Sequence, residues 1–424
     1  MTLTHPVSAL VRTPFHVAAF VFVVVGFSFA VYLGLQALGA VPRVAWVGWS
    51  HIHFVTVGAF TQLLLGMLPQ VAARRLGVSA PTSAVVWTSF LGLNVGFVAA
   101  WIGRAFGPTW AYDAGLVLVW LTVLGVVGVL VAQLVRAARR DLTAVMYVAS
   151  PVVFLIGLTF AFALYTETFA FEVPGGWWGL REGHVHANAW GFLGLAAIAT
   201  ISDVLPRLVR APLHSHRLRN VSFALLLAGI LPLSIGPVLG LGRSVTGTGL
   251  ALFGAGYVAY VVNLVRTYRA GQRSPLALWL LVAQAWILGP AGFAPFILFG
   301  VPLGIPEPWI ETGALHFFFM GWALPVALVG LAIFLRNLPS RDSTATVAAP
   351  ADLLPRGIVP GSIVSHWMIW AWNGGVLVVA ISFFLRDAAW SPAALGIGSA
   401  VLVGLWAHHL VRIAQQWRLA TAGA

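Results

Sequence analysis

The chain has 424 residues, of which 60% are hydrophobic and only 8% charged, with a mean hydropathy of +0.94. Soluble domains carry about 25% charged residues, so a water-soluble enzyme is excluded. All 23 basic residues are arginine, and there is neither lysine nor cysteine. These absences exclude a retinal or pyridoxal Schiff base, a P-loop, disulfides, iron–sulfur clusters, thiolate metal sites and thioether-attached haem. The net charge of +12 fits basic loops at a membrane face, and no nucleic-acid partner is expected.

A membrane-crossing helix needs roughly 20 mostly apolar residues. In chain order such runs begin near Phe15, His51, Ser83, Trp110, Met146, Glu182, Val221, Gly247, Leu276, Glu311, Gly357 and Pro392. The sequence therefore predicts an all-α, polytopic membrane protein of about twelve spans, residues 1–424 forming one transmembrane domain in the lipid bilayer. The first run is too long and unbroken for a cleaved signal peptide. The longest gap holds a polar loop at about 337–356, expected on the cytoplasmic side.

Arginine placement orients the spans, because cytoplasmic loops collect positive charge. The N-terminus, the even-numbered connections and the C-terminus hold 18 of the 23 arginines. Only Arg43, Arg104, Arg181, Arg243 and Arg386 fall on the odd connections. Both termini are expected in the cytoplasm. Trp46, Trp49, Trp177, Trp178 and Trp309 then form part of an outer aromatic belt.

That orientation gives the histidines a depth. His51 and His53 open span 2, His184 and His186 open span 6, and His316 lies about a turn into span 10. All three spans run from outside to inside, so five imidazoles gather near the outer face. His366, in span 11, is expected nearer mid-membrane. A pattern recurs, since His53, His186 and His316 each have glycine five positions on, at Gly58, Gly191 and Gly321. Such a repeat at four-span spacing points to duplicated architecture, and glycine admits a close neighbouring helix or a flat ligand.

Residues two apart on a helix point about 200° apart, so one histidine of each pair can face a common centre. The glycine register nominates His53, His186 and His316, leaving His51 and His184 to line the surface or a second site. Interfacial histidines also cap helix ends and bond to backbone or water. Three at similar depth on parallel helices favour a shared metal or haem, since intramembrane ionisable groups are costly and neutral imidazole suits iron and copper. Gln62, Gln70, Asn94, Asn188, Gln284 and Asn373 are candidate bonds between helices.

With the string SHIHFVTVGAFTQLLLGMLP in span 2 and HFFFMGW in span 10, the chain resembles a divergent member of the haem–copper oxidase subunit I superfamily. That superfamily includes cytochrome oxidases and nitric oxide reductases, and NnrS-like haem proteins show comparable features. The resemblance implies a b-type haem between span 2, through His53 or His51, and His316 of span 10. It implies copper or another second metal on His184 or His186, Arg386 on haem propionates, and His366 as a substitute ligand. The sequence departs from the family in three places. Span 7 has no histidine, span 10 has one rather than two, and no histidine–tyrosine signature follows His186, so the three-histidine copper centre is not recognisable.

The implied function is an oxidoreductase or sensor acting in electron transfer or in oxygen or nitric oxide chemistry, in a prokaryotic inner membrane. It would take a small gaseous ligand, and electrons from a donor protein or partner subunit. Two other classes fit the same spans: a twelve-span secondary transporter, and a factor that handles or assembles haem or copper.

Overall fold

The computed structural model describes residues 9–138, 141–165, 172–299, 302–336 and 364–422. Among the described residues, twelve helices are long and apolar enough to cross a membrane. They are α1 (Pro14–Ala37), α2 (Trp46–Leu76), α3 (Ser83–Phe106), α4 (Thr109–Arg136), α5 (Leu142–Tyr165) and α6 (Gly176–Leu208). Then follow α7 (His216–Val238), α8 (Arg243–Ala270), α9 (Pro275–Leu298), α10 (Glu307–Gly330), α11 (His366–Phe384) and α12 (Ser391–Arg412). No strand occurs among the described residues. The expected all-α membrane fold of twelve spans is what the structure has; the polar loop at 337–356 lies outside the described residues.

The chain gathers into two compact units. Among the described residues, those of the N-terminal unit fall within 9–200 and 220–257, and those of the C-terminal unit within 201–219 and 258–422. Large side chains buried in the N-terminal unit include Leu93, Leu130, Tyr147, Phe154, Phe192 and Phe223. In the C-terminal unit three tryptophans, Trp279, Trp322 and Trp372, are buried. Exposed tryptophans lie near helix ends, at Trp110, Trp177 and Trp178 in the N-terminal unit, and in the C-terminal unit at Trp367 and Trp370 near the start of α11 and at Trp390 just before α12. Those positions suit the two water–lipid boundaries.

Lipid offers no hydrophobic drive between helices, so small residues and hydrogen bonds must hold them. Three hairpins show the first device. A Cβ built on Gly96 of α3 would lie 2.9 Å from the Gly115 carbonyl of α4, and one on Gly229 of α7 would lie 2.7 Å from the Gly249 carbonyl of α8. In α11 and α12 the corresponding glycines are Gly375 and Gly398, the latter 3.2 Å from the Gly375 carbonyl by the same construction. Close glycine crossings therefore recur every four spans.

Hydrogen bonds supply the second device. Gln62 Nε2 donates to Asn94 Oδ1 at 2.8 Å, joining α2 to α3. Trp322 Nε1 donates to Gln284 Oε1 at 2.9 Å, joining α10 to α9, and Trp286 Nε1 donates to Asn373 Oδ1, joining α9 to α11. These are four of the polar residues expected to bond between helices. Gln284→Leu strands the buried Trp322 N–H and is expected to cost about 1–2 kcal/mol. Adding Trp322→Phe should recover part of that loss, a coupling that thermal denaturation of the detergent-solubilised single and double variants measures.

Candidate functional site

Three spans carry the outer histidines, and each starts earlier than its apolar run indicates. Helix α2 begins at Trp46 rather than His51, α6 at Gly176 rather than Glu182, and α10 at Glu307 rather than Glu311. The imidazoles consequently lie one to two turns or more inside their helices. At or directly after them the backbone widens into π-helix, at Phe54–Thr61, His186–Gly194 and Phe317–Ala323. Stretches of π-helix are rare and frequent at functional sites.

The repeated glycines sit within these stretches, and the preceding span packs against each. A Cβ on Gly58 would lie 2.7 Å from Phe22 Cβ of α1, and one on Gly321 would lie 2.8 Å from Trp286 Cβ of α9. Gly191 faces Val153 of α5 and Ile230 of α7. Glycine is required here by a neighbouring side chain, the first of the two uses its spacing allowed.

The ring nitrogens show a common arrangement. Nδ1 lies 2.9 Å from the Gly26 carbonyl in His51, 2.8 Å from Trp49 in His53, 2.9 Å from Gly157 in His184 and 2.7 Å from Thr312 in His316. A carbonyl only accepts, so Nδ1 carries the proton and Nε2 carries the lone pair. This tautomer, fixed by a backbone carbonyl, is the one in which histidine ligates metal through Nε2. His186 differs, its Nδ1 lying 4.0 Å from Glu182 Oε2 one turn back.

Within the N-terminal unit, His53 stacks on Trp49 with centroids 4.0 Å apart and planes 17° from parallel. Its other ring neighbour is His184, at 6.5 Å and 30°. The structure therefore brings His184, rather than His186, toward His53. Asn188 Nδ2 reaches to 3.1 and 3.2 Å from the two ring nitrogens of His184. Beyond them, Arg104 sits 5.4 Å over the Tyr165 ring.

Within the C-terminal unit, His316 lies 4.4 Å from the Phe383 ring. Phe383 is nearly parallel to Trp309, at 6.5 Å and 8°, and Arg386 lies 3.7 Å over the Trp309 ring. A guanidinium stacked by its face keeps its in-plane N–H donors for a carboxylate. His366 is not in this group. It is the first residue of α11, not a mid-membrane position, and Phe383 is at the other end, roughly 25 Å away at 1.5 Å per residue.

Sequence reasoning gave Trp49 only to the aromatic belt, and it missed Phe383 and the four backbone carbonyls. Trp49 was legible as the residue four before His53; the carbonyls leave no side-chain signal. Among the described residues no group of three or more His, Asp or Glu side chains could hold a metal ion.

No protein-family model matches this sequence, and no curated protein matches it. The fold is similar to that in a cryo-EM structure of a heme-copper terminal oxidase dimer. The TM-score is 0.72 with 12% identity, over 99% of this chain and 85% of that chain. At that identity the likeness establishes the fold, which is the one the resemblance implied.

Proposed function

We propose that this chain is a redox metalloprotein of the membrane, carrying a b-type haem with copper or another second metal, and acting in electron transfer or in oxygen or nitric oxide chemistry. The carrying observation is the fixed tautomer of His51, His53, His184 and His316, whose Nδ1 atoms face backbone carbonyls. Neutral, oriented imidazoles fit haem iron and copper. Haem, when bound, would supply a one-electron couple. On the resemblance, His53 and His316 would hold it, with His51 as the alternative in α2 and Arg386 serving its propionates, and His184 or His186 would take the second metal, where a small gaseous ligand would bind. His366 falls out of this set by its position.

The fold of a heme-copper terminal oxidase supports the same reading, as does that neighbour's description as a dimer for a partner copy. With no cysteine the chain cannot attach its own c-type haem, so a donor protein or partner subunit would deliver electrons. A prokaryotic inner membrane with both termini cytoplasmic fits the arginine distribution.

The test is an absorption spectrum of the purified protein, oxidised and reduced, with iron and copper analysis. A Soret band with about one iron per chain is expected; absence of both the Soret band and stoichiometric metal overturns the reading. One observation favours a carrier instead. Helix α9 is interrupted by a 3-10 turn at Gln284–Ile287, and broken helices line many transport sites. A metal-free protein that exchanges solute in vesicles would establish that alternative.

A further inference from the structure

We infer that the last turns of α8 and the α6–α7 connection build a binding site for an anionic phospholipid, with its phosphate on arginines and an acyl chain along α8. None of the residues involved belongs to the metalloprotein reading, so the inference does not rest on it.

The connection is pinned to the helix in register. Gln272 N–H donates to the Val209 carbonyl at 2.6 Å, His214 N–H to Thr267 Oγ1 at 2.9 Å and Ser215 N–H to Asn263 Oδ1 at 3.0 Å. Asn263 Nδ2 returns a bond to the Ser215 carbonyl at 2.9 Å. Residues 209–215 therefore run antiparallel along the end of α8, all of them within the C-terminal unit. Asn263 and Thr267 are buried, so this is a built surface.

What the surface presents is arginine. Arg210, Arg266, Arg269 and Arg273 are exposed. Across residues 201–219 and 258–306 the sequence has a single carboxylate, Asp203. Guanidinium meets phosphate oxygens through paired N–H donors. Arg266 is already oriented, because its Nη1 donates to His214 Nε2 at 3.2 Å, and that uses one of its five N–H groups. Arg210 has a left-handed backbone, φ 54°, and it alone among the described residues does so without being glycine. It ends α6, with its N–H on the Arg207 carbonyl at 3.2 Å and that of Ala211 on Pro206 at 3.0 Å. Glycine is favoured at such a helix end, so an arginine held there at a conformational cost points to a use for its side chain.

Lipid, rather than a free anion, follows from the rest of the α8 stripe. Val258, Val262, Arg266 and Arg269 fall within about 80° of one another around the helix. Val258 is 58% exposed and Val262 37%. One exposed stripe thus changes from valine to arginine over roughly 12 Å, as a phospholipid changes from chain to headgroup. The arginine distribution marks this leaflet as cytoplasmic, where basic clusters next to a span attract anionic lipid.

Native mass spectrometry of the purified, delipidated full-length protein, titrated with phosphatidylglycerol or phosphatidylcholine, tests the site. Phosphatidylglycerol should be retained in preference, and excess inorganic phosphate should not displace it. Arg266→Gln and Arg269→Gln should each weaken its retention roughly fivefold. Arg43→Gln, the same loss of charge in the α1–α2 connection, should leave it unchanged, and Val262→Asn should weaken it. Arg210→Gly should weaken binding yet raise the denaturation midpoint in lipid-free detergent, since glycine relieves the backbone. A variant that merely misfolds would lower both.

Equal retention of the two lipids overturns the inference. So does phosphatidylglycerol binding that Arg266→Gln and Arg269→Gln reduce no more than Arg43→Gln does, or that inorganic phosphate displaces. A protein that holds the lipid but neither haem nor copper removes the metalloprotein reading and leaves this site standing.

Discussion

Gly229→Leu is expected to prevent the N-terminal unit from forming a stable α7–α8 hairpin. A Cβ at this position would lie 2.7 Å from the Gly249 carbonyl and 2.9 Å from Phe253 Cα, and closer still to the Phe253 amide nitrogen. All three are backbone atoms of α8, so no rotamer change can relieve the contact. The reciprocal position is as tight, with a Cβ on Gly249 2.8 Å from the Leu233 amide nitrogen. Ser222 Oγ also donates to the Gly256 carbonyl at 2.8 Å, which pins the helices at the same separation one or two turns away. Leucine would have to push two helices apart and forfeit the close packing that replaces a hydrophobic drive in lipid. Overpacking typically costs 1–3 kcal/mol, and a backbone-to-backbone contact belongs at or above the top of that range. Gly254 is the control, since a Cβ there meets nothing within 4 Å. Gly254→Ala should be neutral or stabilising, by at most about 1 kcal/mol of helix propensity. Thermal denaturation in detergent compares them, and equal midpoints for wild type and Gly229→Leu would refute the packing account.

The contrast between these two glycines shows what the sequence could and could not disclose. Twelve apolar runs were legible because bilayer thickness imposes a length that composition alone reveals. Glycine spacing after His53, His186 and His316 was legible as a repeat, and the structure gives it a form in three π-helical stretches. Its cause was not legible, because Phe22, Val153 and Trp286 come from preceding spans whose rotation the sequence does not encode locally. Helix starts were read late for a similar reason. The segments Trp46–Ser50, Gly176–Arg181 and Glu307–Ile310 mix tryptophan, glycine and charge, so hydropathy falls before the helix ends. An apolar run beginning near Gly357 sets His366 deep in its span, whereas α11 starts at His366 itself. The two members of each histidine pair could not be separated by angle alone. His51 and His184 bond to glycine carbonyls of the preceding span, and His53 to its own helix, a distinction made by backbone atoms.

His316→Ala is expected to remove the Soret band, or shift it and lower the iron content well below one per chain, while His214→Ala leaves both unchanged. His316 is the histidine that α10 places at the π-helical junction, with Nδ1 2.7 Å from the Thr312 carbonyl and the ring against Phe383 at 4.4 Å. Those two contacts fix the tautomer and the plane of the imidazole, so Nε2 is oriented before any iron arrives, which is what an outer-shell carbonyl contributes to a ligand. His214 offers the opposite case. From the connection between α6 and α7, its Nε2 lies 3.2 Å from Arg266 Nη1 of α8, which donates to it, and its backbone N–H donates to Thr267 Oγ1 of the same helix. Its lone pair is already used by a guanidinium, so it is unsuited to iron. Phe383→Ala separates ligation from positioning. It should keep the haem but broaden or shift its reduced bands, because the ring would lose one wall of its slot. If His316→Ala retains the wild-type spectrum and iron content, the imidazole is structural and the haem ligand must be sought among His51, His53 and His184. If the spectrum is lost in Phe383→Ala as completely as in His316→Ala, the aromatic wall is part of the binding site itself, and Arg386 over Trp309 becomes the next residue to change.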